Sequence, residues 1–305
     1  MSFRIIILGS SGAVPAYGRH TSSQFIEMQG RSFLVDCGEA TQMQLMRKRV
    51  NFHRLNHIFI SHLHGDHYLG LMGLIFTMHL QGRVNDLHLY SHWGLDEIIT
   101  TQLRYSHASL GYKIIFQPLE KGVREIIFED DVLTVETIPL SHKVACSGFL
   151  FKERIKPRRI DKSRLPPGLL IQQIASLKKG ENVYDEAGNI EYTNEELTLS
   201  PRKSRSYAYC SDTAFDKNII DQIRNVNILY HEATFGEDEV DKAKETWHST
   251  AKQAATMAQL AQVETLLLGH FSARYKDLAP LLDEAKSIFP NTALAIEGEE
   301  FTVQD

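Results

Sequence analysis

The chain has 305 residues, of which 43% are hydrophobic and 23% charged, as is usual for a folded globular protein. Its formal net charge of −5 excludes a uniformly basic nucleic-acid-binding surface, so any such binding requires a local basic region. Three cysteines without a C-x-x-C pair argue against a disulfide framework and predict a reducing, cytoplasmic location.

Short apolar segments dominate the first half of the chain. Residues 5–8 are too few for the signal-peptide core of about 7–15 residues. No run approaches the about 20 apolar residues of a membrane span, so we expect no membrane segment. Helical spacing predicts helices over residues 39–49 and 66–81. The strand-like runs cover residues 3–9, 23–28, 31–38, 57–61, 86–91, 112–117, 124–129 and 133–141.

The second half returns to the same pattern after an interruption. Ser249 and Thr250 suit the start of a helix over residues 248–262. A second helix is predicted over residues 275–289, with Pro280 interrupting or kinking it. The predicted strands cover residues 206–211, 226–230, 264–269 and 292–298.

The interruption, at about residues 152–200, is a polar insertion with a basic beginning. Its composition predicts a loop-rich, mobile segment that buries little of itself. A solvated insertion without a role remains the alternative. Against two acidic residues, the first thirteen positions hold seven basic ones, namely Lys152, Arg154, Lys156, Arg158, Arg159, Lys162 and Arg164.

Four separate predicted strands are each followed by a residue of a type that commonly binds metals. These residues are His62, His142, Asp212 and His270, and the first begins the cluster "HLHGDH" at residues 62–67. In enzymes built on sheets, loops at one end of the strands carry the chemistry because the sheet fixes their positions. The pattern therefore predicts one site assembled from distant parts of the chain.

The chemistry of this set indicates two divalent ions. Imidazole and carboxylate bind zinc at about 2.0–2.2 Å, whereas calcium and magnesium prefer oxygen ligands. Manganese, iron and cobalt are the alternatives to zinc. Seven ligands are too many for one tetrahedral ion, so two ions sharing one carboxylate are expected, with Asp212 as the bridge. The seven are His62, His64, Asp66, His67, His142, Asp212 and His270.

The spacing H-x-H-x-D-H resembles the signature of the metallo-β-lactamase superfamily. The resemblance implies an α/β fold, a four-layer αββα sandwich with a dinuclear site along one edge of its two sheets. We expect a single domain over residues 1–305, interrupted by the insertion as a protruding arm.

Further motifs resemble the ribonuclease Z branch of that superfamily. They are "LGSSGAVP" near the start, "DCGEATQMQL", "HEAT" at residues 231–234, "HST" at residues 248–250 and "LLLGHFSARY". This resemblance implies an endoribonuclease that removes the 3′ trailer from precursor tRNA after the discriminator nucleotide. The tRNA keeps a 3′-hydroxyl and the trailer a 5′-phosphate.

The same resemblance implies a role for each site residue. His62, His64 and His142 hold one zinc ion, Asp66, His67 and His270 hold the other, and Asp212 bridges them. Asp66 also accepts a proton from the attacking water. Glu232 and His248 form a charge pair in which His248 protonates the leaving 3′-oxygen, a contribution of about 10²–10⁴ in rate. Apart from the resemblance, we expect His231 only to orient the loop that carries Glu232, through a hydrogen bond.

The resemblance further implies that the insertion is the protruding arm of that family, which grips the tRNA elbow through phosphates across a homodimer. Its seven basic residues are thus the expected substrate contacts. The chain departs from the family pattern at two places. The tip of the arm has Pro166, Pro167 and Gly168 where Gly-Pro is usual. Before the bridging aspartate, it has Ser211 where glycine is usual.

Two other functions fit parts of the sequence. One is a dinuclear-zinc phosphodiesterase that acts on small phosphodiesters, for which the arm has no purpose. The other is a catalytically inactive RNA-binding partner, which has little reason to keep all seven ligands together with Glu232 and His248.

Overall fold

The computed structural model describes residues 2–304. Nine strands precede the insertion within this range: β1 (Phe3–Gly9), β2 (Ser23–Met28), β3 (Arg31–Val35), β4 (Leu55–Phe59), β5 (Leu87–Ser91), β6 (Ile114–Pro118), β7 (Ile126–Glu129), β8 (Leu133–Pro139) and β9 (Ser147–Glu153). The described remainder adds β10 (Arg159–Ile160), β11 (Val183–Tyr184), β12 (Ile190–Tyr192), β13 (Thr198–Leu199), β14 (Ser206–Cys210), β15 (Ile228–Glu232), β16 (Thr265–Gly269), β17 (Thr292–Leu294) and β18 (Glu300–Thr302).

The helices are short and lie between the strands. Over residues 2–304 they are α1 (Thr41–Arg47), α2 (Gly65–Tyr68), α3 (Leu71–Leu80), α4 (Leu95–Tyr105), α5 (Ile171–Lys179), α6 (Asn194–Leu197), α7 (Val240–Thr246), α8 (Ala251–Leu260) and α9 (Ala279–Lys286). None of them, in the described range, is long and apolar enough to cross a membrane.

Two large mixed sheets organise the molecule. The first has the strand order β18-β1-β2-β3-β4-β5-β6, and the second has the order β17-β16-β15-β14-β9-β8-β7. Strands β3 to β6 run parallel, as do β14 to β17. Parallel strands place their carboxyl ends at one edge of a sheet, so the loops that follow them meet there.

Three hydrophobic layers separate the sheets and the helices. The layer between the sheets is rich in aromatic rings, including the buried Phe33, Phe59, Phe149 and Tyr209. A second layer lies under α3 and α4 on the first sheet, and a third lies under α8 and α9 on the second. This arrangement confirms the predicted four-layer αββα sandwich.

The helix predicted over residues 66–81 is two helices, α2 and α3, separated at Gly70. A Cβ atom at Gly70 would lie 2.0 Å from the carbonyl oxygen of Gly38, so the chain passes too close there for a side chain. The break allows α2 to turn the histidine cluster towards the sheet edge, while α3 packs its apolar face on the first sheet.

The prediction for Pro280 was wrong. The helix α9 begins at Ala279, and Pro280 lies in its first turn, where the missing N–H has no intrahelical partner to lose. Outside the insertion, four of the described helices and strands were not predicted: β9, β18, α4 and α7. The helix α4 contains four consecutive β-branched residues at positions 98–101, which favour a strand, and α7 is mostly charged and polar.

The insertion, which leaves after β9 and returns at β14, is more structured than its composition predicts. Its segments β10 to β13, α5 and α6 pack on one another. Leu177, Val183 and Leu197 are buried in a small core of their own, with Ile160 and Tyr192 packed against it. The prediction that this segment buries little of itself was therefore wrong.

A buried ion pair closes the base of this arm. The guanidinium of Arg205 donates to the carboxylate of Glu153 at 2.6 and 3.1 Å, and the Arg205 backbone N–H donates to it at 2.9 Å. Lys156 lies 2.7 Å from the same carboxylate. Burial raises the pKa of Glu153, but the donors of Arg205 and Lys156 outweigh it and lower the pKa to about 2.

Stability should therefore depend on this carboxylate at acidic pH. Because its folded pKa of about 2 lies below the usual 4.5, its contribution is present above pH 4.5 and lost as the pH falls towards 2. We expect Glu153→Gln to lower the free energy of unfolding at neutral pH by about 3–5 kcal/mol, because Arg205 loses its buried partner. Urea unfolding at pH 7, 4 and 3 measures both effects.

Glu129→Gln is the matched control, because Glu129 pairs with Arg154 at the exposed surface. It should change stability by less than about 1 kcal/mol. Equal pH dependence in Glu153→Gln and the unsubstituted protein would contradict the role of the pair.

Candidate metal centre

Four strands deliver histidine or aspartate side chains to one edge of the two sheets. His62 follows β4 in the first sheet, while His142, Asp212 and His270 follow β8, β14 and β16 in the second. His64, Asp66 and His67 arrive with the loop before α2 and with α2 itself. All seven predicted ligand residues thus lie together, in two groups whose ligand atoms are within 4.8 Å of one another.

Asp212 lies between the two groups and turns one carboxylate oxygen to each. Its Oδ2 atom is 3.5 Å from Nε2 of His62 and 3.8 Å from Nε2 of His142. Its Oδ1 atom is 3.3 Å from Nε2 of His67 and 3.0 Å from Nε2 of His270. One side chain therefore connects imidazoles that come from three distant parts of the sequence.

The remaining two ligand residues complete the groups on opposite sides. Nδ1 of His64 lies 3.4 Å from Nε2 of His142, beside the Oδ2 atom of Asp212. The Oδ2 atom of Asp66 lies 3.4 Å from the Nε2 atoms of both His67 and His270, and it also accepts a hydrogen bond from the backbone N–H of Ala13 at 2.7 Å. The two groups match the division expected from the family resemblance.

The distances between these ligand atoms suit bound divalent ions better than a network of direct hydrogen bonds among the side chains. Two ligand atoms that each lie about 2.0–2.2 Å from one zinc ion at a tetrahedral angle are about 3.3–3.6 Å apart. Among the described residues, the Nε2 atoms of His62, His67 and His270 are buried and make no hydrogen bond. Buried polar atoms normally have a partner, and three such nitrogens directed at one carboxylate are suited to cations.

The charged groups around His67 also indicate a site that is suited to cations. Burial lowers the pKa of His67, but the carboxylates of Asp212, Asp36 and Asp66 outweigh it and hold the pKa well above its usual range. Burial and the neighbouring His67 hold the pKa of His62 well below its usual range. Three carboxylates thus act on the one buried imidazole of His67, an arrangement that is suited to a bound cation.

The backbone is strained at the positions that carry the ligands. Asp212 and His270 have φ angles of 39° and 56°, in the left-handed region that is costly for residues with a Cβ atom. Asp36, which supports His67, has a φ angle of 55°. Such residues cost about 1–3 kcal/mol each and persist where the surrounding fold fixes them.

Asp36 is the main residue of the site that sequence analysis missed. Its Oδ2 atom is 2.7 Å from Nδ1 of His67, and it accepts hydrogen bonds from the hydroxyls of Ser61 at 2.9 Å and Tyr209 at 2.7 Å. Because Ser61 Oγ is also 3.1 Å from Nδ1 of His62, this carboxylate reaches one imidazole of each group. Asp36 directly follows β3 at the same edge, whereas the predicted strand over residues 31–38 placed it within the strand.

Glu232 and His248 form the predicted charge pair beside the metal ligands. Oε1 of Glu232 is 2.8 Å from Nδ1 of His248 and accepts from the backbone N–H of Thr213 at 2.7 Å. Burial lowers the pKa of His248, but Glu232 outweighs it and raises the pKa to about 9. The imidazole is therefore protonated at neutral pH, next to the rings of His142 and His270.

Thr234 connects this pair to the metal ligands. Its hydroxyl donates to Glu232 and lies 2.9 Å from Nδ1 of His270, so it fixes the orientation of that ring. His231 is buried, and its Nδ1 atom is 2.8 Å from the backbone carbonyl oxygen of Glu232. Thr234 was not singled out from the sequence, although it belongs to the "HEAT" motif.

The seven basic residues predicted to contact substrate lie away from this cluster, in β9 and the arm. Arg154 pairs with Glu129 at 2.6 Å, and Arg164 pairs with Asp161 at 3.6 Å. Arg158 donates to Thr198 at 2.7 Å and Arg159 to the carbonyl oxygen of Ser200 at 3.1 Å. Lys156 pairs with Glu153, so five of the seven residues have intramolecular partners. The other two residues of this basic segment are Lys152 and Lys162.

Known proteins resemble the chain over half or all of its length. Residues 3–155 match the model of a family described as Anti-Pycsar protein Apyc1. The whole chain is 48% identical to the Ribonuclease Z of Cytophaga hutchinsonii, 97% of which it covers. It is also 45% identical to the Ribonuclease Z of Bacteroides fragilis, in a match that covers 97% of each chain. Its fold matches the crystal structure of the short form of human tRNase Z, with a TM-score of 0.73, 25% identity and coverage of 99% and 100% of the two chains.

The fold and the ligand cluster define a metal-dependent hydrolase of the metallo-β-lactamase type. The matched family model ends at residue 155, before Asp212, Glu232, His248 and His270, whereas the relatives cover all of them. The chain belongs to the ribonuclease Z family, whose members are metal-dependent endoribonucleases acting on phosphodiester bonds.

Asp36 should control how tightly the site holds metal. In Asp36→Asn the side chain accepts fewer hydrogen bonds and no longer carries the charge that orients His67. We expect the affinity for zinc to fall about 10- to 100-fold, the usual effect of removing such a partner. Competition with a chromophoric chelator measures this affinity.

Tyr209→Phe is the control, because it removes one hydrogen bond to the same carboxylate and leaves His67 paired. Its loss of affinity should be several-fold smaller. Unchanged zinc affinity in Asp36→Asn would show that the fold alone holds His67 in place.

Proposed function

We propose that this chain removes the 3′ trailer from precursor tRNA after the discriminator nucleotide, using two zinc ions, as a cytoplasmic homodimer. The supporting observation is the position of Asp212, whose two carboxylate oxygens each face a separate pair of imidazoles. The relatives named Ribonuclease Z cover the whole chain and support the substrate. Manganese, iron and cobalt suit the same ligands.

Each of the two ligand groups binds one metal ion. His62, His64 and His142 hold one ion, while Asp66, His67 and His270 hold the other, with Asp212 between them. Two divalent ions, when bound, supply a nucleophile at neutral pH and offset charge on the phosphoryl oxygens. Asp66 lies at the rim of the site and accepts the proton that the nucleophile releases.

Glu232 and His248 assist the departure of the leaving group. The buried carboxylate of Glu232 keeps the His248 imidazole protonated and fixes its orientation through Nδ1. Nε2 of His248 is then the donor to the scissile phosphate and to the leaving 3′-oxygen of the tRNA. A donor positioned in this way contributes about 10²–10⁴ to the rate.

The arm supplies binding to the body of the tRNA, away from the cut. Phosphate contacts from its basic residues recognise the shape of folded RNA without reading its sequence. The predicted contacts are Lys152, Arg154, Lys156, Arg158, Arg159, Lys162 and Arg164. Lys178 and Lys179, exposed at the end of α5, are two further candidates. An arm with its own core favours this function over hydrolysis of small phosphodiesters.

The proposed reaction is tested by incubating the protein with an end-labelled precursor tRNA and mapping the cut. We expect one cut after the discriminator that leaves a 3′-hydroxyl. Asp212→Ala should lose at least about 10³ in rate, because the shared ligand of both ions is gone. Bound zinc should fall in parallel, as measured by elemental analysis.

Asp216→Ala is a suitable control, since Asp216 caps a short helical turn near Asp212 without facing the ligands. It should cut at the same position and at a similar rate. A cut at another position, or full activity in Asp212→Ala, would overturn the proposed function.

The role of the arm is tested by replacing residues 157–202 with a short Gly-Ser linker. The Glu153–Arg205 pair and Lys156 are retained, so the base of the arm stays closed. We expect hydrolysis of a small chromogenic phosphodiester to change less than about threefold. Cleavage of precursor tRNA should fall at least about 100-fold, because several phosphate contacts are lost.

Equal loss of both activities would contradict this division of labour. Equal retention of both would indicate that the arm has no part in holding the substrate.

A further inference from the structure

The chain has two tryptophans, and both have exposed rings. The relative exposure of Trp247 is 44%, and that of Trp93 is 63%. The Trp93 ring lies against Phe116, with ring centroids 5.8 Å apart. Trp247 instead directly precedes His248 in the chain, and its backbone carbonyl contacts the ligand residue His142.

Trp247 is attached to the site through its backbone. Its carbonyl oxygen accepts a hydrogen bond from Nδ1 of His142 at 3.1 Å, and Nε2 of that histidine faces the shared carboxylate of Asp212 at 3.8 Å. The next residue in the chain is His248, whose ring centroid is 5.2 Å from that of His142. One imidazole ring thus separates the Trp247 carbonyl from the reacting centre.

The conformation of Trp247 is unusual for a large side chain. It ends α7 with φ 63° and ψ 46°, in the left-handed region where glycine and asparagine are favoured. Either residue provides the same carbonyl to His142 without leaving an apolar ring in water. A bulky residue kept in this conformation at an active site suggests a function for its side chain.

Two lysines lie close to Trp247 in the chain, where the nearby Glu245 is already paired with Lys242. Lys244 lies in the last turn of α7, three residues before it, and Lys143 directly follows His142. Lys143 is close enough to Glu245 to lower the pKa of that carboxyl, after the larger effect of Lys242. An aromatic ring beside lysines is the combination by which proteins hold single-stranded nucleic acid, the ring stacking on a base and the cations facing phosphates.

We propose that Trp247 stacks on the base of a nucleotide next to the scissile phosphate and thereby positions the RNA strand over the metal centre. This inference rests on the proposed function, because it requires an RNA substrate. It assigns to Trp247 a binding role that does not depend on base identity, since every base presents a flat face.

The first experiment compares Trp247→Asn with Trp247→Tyr on precursor tRNA. Asparagine suits the left-handed conformation and keeps the backbone carbonyl, so zinc content should stay at the level of the unsubstituted protein. We expect kcat/KM for precursor cleavage to fall about 5- to 150-fold in Trp247→Asn, as for the loss of one stacked base. Trp247→Tyr should recover most of that loss.

Substrates with an abasic site test whether the ring acts on a base. One substrate lacks the discriminator base, and another lacks the first base of the trailer. We expect one of these changes to slow the unsubstituted protein and to have little further effect on Trp247→Asn. Independent, multiplicative effects at both positions would overturn the proposal, since the ring would then not touch either base.

Trp93→Asn is the matched control for removing an exposed indole, and it should cleave precursor tRNA at the unsubstituted rate. Trp93→Phe leaves Trp247 as the only tryptophan. Its fluorescence should fall when precursor tRNA is mixed in a stopped-flow instrument. Unchanged fluorescence on binding would also contradict stacking.

The proposed function and the role of Trp247 are tested by different results. If the unsubstituted protein does not cut precursor tRNA after the discriminator, the proposed function is wrong. If it does cut there, while Trp247→Asn and the unsubstituted protein respond equally to both abasic substrates, only the role of Trp247 is wrong.

Discussion

The site depends on the position of one carboxylate between four imidazoles. Asp212 is held by a left-handed backbone at the end of β14, where its two oxygens face different pairs of histidines. Histidines from three separate segments of the chain converge on it because both sheets present the ends of their strands at the same edge. A negative charge buried among unpaired imidazole nitrogens is unfavourable alone, and bound cations relieve that cost.

The sheets support this arrangement from below. Asp36 directly follows β3 in the first sheet, and the hydroxyl of Tyr209 in β14 of the second sheet donates a hydrogen bond to it. The bond joins the two halves of the sandwich directly beneath His67. The aromatic layer between the sheets therefore fixes the spacing on which the two ligand groups depend, and Thr234 and Glu232 fix His270 and His248 in the same way.

The sandwich was expected from the resemblance of the H-x-H-x-D-H spacing to a known superfamily. The ligand residues were predicted from the sequence because they follow strand-like runs, which are local patterns. Asp36 was missed because its role depends on a contact with His67 that only the folded chain creates. The core of the arm escaped detection because Leu177, Val183 and Leu197 are scattered in a polar segment. The conformation of Trp247 is not encoded by tryptophan itself, since the adjoining helix end and His142 impose it.

The most direct measurement of the central claim is anomalous X-ray diffraction at the zinc absorption edge from crystals of the zinc-loaded protein. We expect two peaks about 3.5–4 Å apart, one beside each oxygen of Asp212. The first should contact His62, His64 and His142, and the second Asp66, His67 and His270. A single peak, or two peaks of which neither contacts Asp212, would show that this carboxylate is not shared by two ions.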